Sequence, residues 1–213
     1  METIGQARRE QPGTTFVAPR KRLLFWFVAV ALVATAIVAL FGDAEELVRF
    51  DHTHWGWVKI AAIGATGVLA VLAAVSLIET DFSHRWVWIP LPMFLLWIGS
   101  CIADGRGRGI SQVTGIEWSL LTGLNSAIFI FAVSVPLIGS LMMLLRRAPR
   151  QWPISATLYI GLGAAAISVF VMQFFHLHVP NIIDFTLRIT AILIVICGTA
   201  LFSQLCPAGE SRA

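Results

Sequence analysis

The sequence predicts an all-α integral membrane protein, a bundle of six transmembrane helices, on three observations. Of its 213 residues 57% are hydrophobic and only 13% charged, against a charged fraction of about 25% in soluble domains. The apolar residues come in six long blocks separated by short charged connections, and uncharged blocks of about 18 residues or more read as membrane spans. The blocks are continuous rather than alternating, which excludes a transmembrane β-barrel.

The first block, residues 23–41, has 19 residues and reaches about 28 Å as a helix, close to the hydrocarbon thickness of about 30 Å. It follows Arg20, Lys21 and Arg22. Its length exceeds the apolar region of a secretory signal, about 7–15 residues, and "FGDAE" after it offers no small-x-small cleavage site, so it is expected to stay as a first helix. The second block covers residues 60–78 and the third residues 86–103. The fourth, residues 118–145, is 28 residues long and must tilt or extend into the interface; Pro136 inside it marks a kink. The fifth, residues 154–175, is rich in Gly, Ala and Ser. Ser155, Tyr159 and Gly163 fall on one stripe and Gly161, Ala165 and Ser168 on an adjacent one; small residues let helix backbones approach closely in lipid, so this helix is expected at the bundle centre. The sixth covers residues 185–205, after Pro180. Asn181 is placed to cap it, Asp184 to sit in its first turn in accord with the macrodipole, and Arg188 to pair with Asp184 four residues earlier.

Charge sets the orientation, because basic residues beside a span resist translocation. Ten of the 15 Lys and Arg fall on one side: Arg8, Arg9, Arg20, Lys21 and Arg22 in the tail, Arg85, then Arg146, Arg147 and Arg150, and finally Arg212. Arg49, Lys59, Arg106, Arg108 and Arg188 fall on the other, with seven of the twelve acidic residues. Both termini are thus expected in the cytoplasm. The chain divides into a cytoplasmic tail, 1–22, a membrane domain, 23–205, and a cytoplasmic tail, 206–213. Trp55, Trp57, Trp86, Trp118 and Trp152 fall at expected span ends, where an amphipathic ring sits best. The net charge of +3 belongs to a membrane surface; no basic module reads as a nucleic-acid binder.

Chemistry-bearing motifs are few. "DHTHWGW" and "FFHLHVPNIID" place His52 and His54, and His176 and His178, on the outer side. Two His-x-His pairs supply four nitrogens, a set suited to zinc or copper if the two loops meet, since alternate residues of an extended backbone point the same way. A small transporter or metal-handling protein is the reading this supports. Against transport, ionisable groups within a bilayer are costly and kept for function, and none sits near the centre of a span here; inverted repeats are not visible either. No phosphate loop, His-Glu-x-x-His or serine with a paired base appears, so no enzyme activity and no cofactor is expected. The three cysteines, Cys101, Cys197 and Cys206, read as small apolar fillers, with Cys101 nearest the outer face.

The second half carries a resemblance. "LRRAPRQWP", from Leu145 through Arg146, Arg147, Ala148 and Pro149 to Pro153, then Gly161 and Gly163, His176 and Gly198, resembles the NrsF-like family, six-span negative regulators of sigma F. The first half is similar in layout. The resemblance implies an anti-sigma factor of the bacterial inner membrane that holds an extracytoplasmic-function-type sigma factor until a stress signal arrives. The basic cytoplasmic face points to binding of that partner through Arg8, Arg9, Arg20, Lys21 and Arg22 of the tail and through the inner loops. Leu177 stands where the family often has a cysteine after the fifth-span histidine, and residues 118–145 contain no cysteine. A structural membrane subunit with another partner is the third reading.

Overall fold

A computed structural model describes residues 18–41, 54–79, 88–107, 116–145, 153–175 and 182–205. They form six helices: α1 (Ala18–Phe41), α2 (His54–Glu79), α3 (Pro90–Gly107), α4 (Ile116–Leu145), α5 (Ile154–Met172) and α6 (Ile182–Leu205). Among the described residues there is no strand.

Five helices hold an apolar run long enough to cross a membrane: Lys21–Leu40, Trp57–Ile78, Leu120–Leu145, Ile154–Met172 and Ile183–Leu205. The third block departs from expectation. Its helix starts at Pro90, after a turn at Trp88 and Ile89, and its apolar part is Pro90–Ala103, which spans about 21 Å as a helix. Proline explains the late start: its fixed φ and missing N–H suit the first helical position and disfavour continuation from the preceding residues. Pro136, expected to mark a kink, lies within a helix that runs from Ile116 to Leu145 without interruption. Its missing N–H leaves the carbonyl of Ala132 without the usual intrahelical donor.

α5 is the centre. Ile160 to Val169 are buried without a gap, as expected of a helix apolar on every side, and α2, α4 and α6 all pack on it. Glycine makes the closest approaches. A Cβ on Gly163 would lie 2.7 Å from Val71 Cγ2 and 3.3 Å from the Gly67 carbonyl oxygen, and one on Gly161 would lie 2.8 Å from Ile196 Cα. Only a side chain of hydrogen lets α2 and α6 come this close to the same helix. α3 packs on α2.

Two apolar clusters divide the interior. One joins Leu23 and Trp26 at the start of α1, Val75 and Ile78 at the end of α2, Leu141 and Leu145 at the end of α4, and Ala156 at the start of α5. The other joins Ala62 and Ile63 of α2, Trp97 of α3, Ile130 of α4, Met172 at the end of α5, and Ala191 and Ile192 of α6. The beginning of α1 and the end of α4 therefore share one end of the bundle. Several interior hydroxyls close on their own helices: Thr66 donates to Ala62 O at 2.7 Å, Ser168 to Ala164 O at 2.8 Å and Thr199 to Val195 O at 2.6 Å. Ser134 and Ser168 meet at 2.9 Å between α4 and α5. Since the single Ser168 proton goes to Ala164, Ser134 is the donor.

Candidate functional site

Two places combine polar chemistry with a defined position in the bundle. The first is at the shared end of α1 and α4. α1 is mostly exposed along its length, with Leu23 and Trp26 as its buried anchors. The Trp26 indole N–H donates to Ser140 Oγ at 3.0 Å, while Ser140 donates to Leu137 O at 2.9 Å. Beside this bond an open groove of about 540 Å³ runs between the helices, lined by Lys21, Arg22, Phe25, Trp26, Ala29, Ser140, Met143 and Leu144. Lys21 and Arg22 are exposed at its mouth, and no acidic residue stands in the first turn of α1.

The second lies near the start of α6, at the other end of the bundle. Asp184, in the first turn, is 3% exposed and Arg188 is 5% exposed. Arg188 Nε donates to Asp184 Oδ1 at 3.0 Å, and Nη2 pairs with Oδ2, a two-pronged clamp of the strong kind. α4 comes against this turn at Gly123, where a Cβ would lie 3.3 Å from Asp184 Cα and 2.5 Å from Leu187 Cδ1. Trp97 of α3 faces Phe185 with ring centroids 6.2 Å apart. Trp97 Nε1 and Ser126 Oγ, the latter one turn beyond Gly123, are buried without a hydrogen-bond partner among the described residues.

The residues singled out in the sequence are distributed unevenly. Arg8, Arg9, His52, His176, His178 and Asn181 lie outside the described residues, and for Arg20 and His54 only a place in a helix, α1 and α2 respectively, is described. Among the described residues no three His, Cys, Asp or Glu come together as a metal-binding group. Lys21 and Arg22 reach the groove, Gly161 and Gly163 carry the close helix contacts, and Pro136 is exposed on α4.

The sequence places Asp184 and Arg188 at a span terminus, and Asp184 stands in the first turn of α6; the sequence does not show that the pair is buried there. The i,i+4 spacing signals the pair, but its burial and the approach of Gly123 of α4 to the same turn are not revealed by periodicity. The Trp26–Ser140 bond, 114 residues apart, and the Gly67 face of α2 left no comparable signal.

Residues 7–206 match the family model NrsF, described as negative regulator of sigma F. No curated protein and no solved structure matches the chain.

Proposed function

The chain belongs to the NrsF family, negative regulators of sigma F, and from that premise we propose that it is a non-enzymatic, membrane-embedded anti-sigma factor. It sits in a bacterial inner membrane as a six-span bundle, residues 23–205, with α3 as the short sixth member and both tails, 1–22 and 206–213, in the cytoplasm. The tail residues Arg8, Arg9, Arg20, Lys21 and Arg22, with the inner loops, hold an extracytoplasmic-function-type sigma factor until a stress signal reaches the outer loops. The single observation that carries this reading is the family match across nearly the whole chain. Five helices long and apolar enough to span, and the ten-to-five bias of Lys and Arg toward one side, support the placement.

Release of a bound sigma factor requires two bundle packings that the signal weights differently. α1 is suited to transmit such a change, because it is attached to the tail and joined to the bundle chiefly through its first turns. The test is recovery of the tagged full-length protein from detergent extracts of unstressed cells. A sigma factor is expected with it, and in reduced amount from a variant with the five tail cations replaced by Gln. Recovery of no sigma factor overturns the reading.

A further inference from the structure

We propose that the groove between α1 and α4 is a binding site for one anionic phospholipid, with its phosphate at Lys21 and Arg22 and an acyl chain along Phe25, Ala29 and Met143. The proposal rests on the membrane placement given above. Charge complementarity is the first argument. Arg20, Lys21 and Arg22 follow one another at the positive end of the α1 dipole, with no acidic residue in that turn, an arrangement that repels itself unless an anion is present. Arg146 and Arg147 follow the last residue of α4 in the chain and add to the excess. Among the described residues no carboxylate lines the groove.

Depth is the second. From Lys21 to Ala29 the groove follows α1 for about 12 Å, from the charged interface into the hydrocarbon layer. Its floor is apolar apart from Ser140, whose hydroxyl is engaged with Trp26 and Leu137. A cytoplasmic protein segment meets the cations but does not descend beside Ala29, whereas a lipid has a headgroup for one part and a chain for the other. Basic pockets between helices on the cytoplasmic side are the usual setting for anionic headgroups. The third argument is the thin contact of α1 with the bundle: a lipid seated here completes the α1–α4 interface. Anionic lipid thereby becomes a structural element of the attachment between tail and bundle.

The experiment uses the full chain in vesicles containing either phosphatidylglycerol or phosphatidylcholine brominated on the acyl chain. Quenching assigned to Trp26 is taken as the difference from a Trp26→Phe variant. Selectivity for phosphatidylglycerol of about thirtyfold is expected, the scale set by two interfacial cations, and it is expected to vanish in Lys21→Gln/Arg22→Gln. Ala29→Phe, which fills the groove and keeps both cations, is expected to reduce quenching by phosphatidylglycerol while helix content by circular dichroism stays unchanged. Equal quenching by the two lipids means ordinary boundary lipid and overturns the proposal. Selectivity that survives loss of both cations overturns it as well. So does selectivity that is absent while the double variant loses the sigma factor, which assigns the cations to the protein partner. If neither lipid quenches any tryptophan, the membrane placement itself has failed.

Discussion

Arg188 folds back one turn along α6 to clamp Asp184 with two nitrogens, and the resulting ion pair is buried in the bundle, on a turn whose Asp184 backbone and Leu187 side chain meet Gly123 of α4. Two opposite charges taken together from water are tolerable; one alone is not. Removing a single partner of a buried pair costs about 3–5 kcal/mol, while replacing both by apolar residues of similar size is often neutral or stabilising. Asp184→Ala and Arg188→Ala are each expected to lower resistance to SDS-driven unfolding by that amount, and Asp184→Leu/Arg188→Met to recover most of it. A double variant as unstable as either single one contradicts a clamp formed only between these two residues.

Glycine tolerance along the helices follows the distances. At Gly161 an added methyl meets the backbone of α6 at 2.8 Å, whereas nothing lies within 4 Å at Gly198. Gly161→Ala is therefore expected to destabilise by about 1–3 kcal/mol, the usual cost of overpacking. Gly198→Ala is expected to be neutral or to gain up to about 1 kcal/mol from helix propensity. Thermal melts of the two variants in one detergent compare them directly.

Trp26 and Ser140 tie the first turns of α1 to α4. Trp26→Phe keeps the ring in its apolar contacts and removes the donor, so a loss of about 0.5–1.5 kcal/mol is expected. A double-mutant cycle with Ser140→Ala should return a coupling energy of that size. A coupling near zero means that α1 is held by apolar contact alone.

The Ser134–Ser168 contact joins α4 to the central helix. Interhelical hydroxyl bonds in membrane bundles are worth about 0.6 kcal/mol on average, and Ser134→Ala is expected to cost that much. Ser168→Ala removes the acceptor and leaves the buried Ser134 donor unpaired, so its cost is expected to be the larger, about 1–3 kcal/mol. Equal costs in unfolding titrations contradict the donor assignment.

The map of sides is tested by reporters. A fusion after Ala213 that is active in the cytoplasm, and one in the segment between α1 and α2 that is active outside, are the expected results. The reverse pattern moves the tail cations, and with them the sigma-binding reading, to the wrong face.

The sequence by itself determined that the chain is helical and rich in membrane-length apolar blocks, because burial in lipid needs only composition and length, and both are read residue by residue; it read six spans, where five helices are long and apolar enough to cross a bilayer. It also pointed to α5 as the central helix, since a helix with small and apolar residues on every side has no face left for anything but neighbours. It marked Asp184 and Arg188 as a pair, because i,i+4 spacing is local. What only the tertiary structure decided is what depends on two segments at once. The pair is buried in the bundle, and Gly123 lets α4 approach the turn that carries it. Gly163 matters because Gly67 and Val71 lie opposite it, and the groove exists because the start of α1 meets the end of α4. The helix of the third block begins only at Pro90, a start signal that a count of apolar residues passes over. Hydropathy is a sum along one chain segment, whereas helix contact is a property of two surfaces distant in sequence, and their match is set only when the bundle closes.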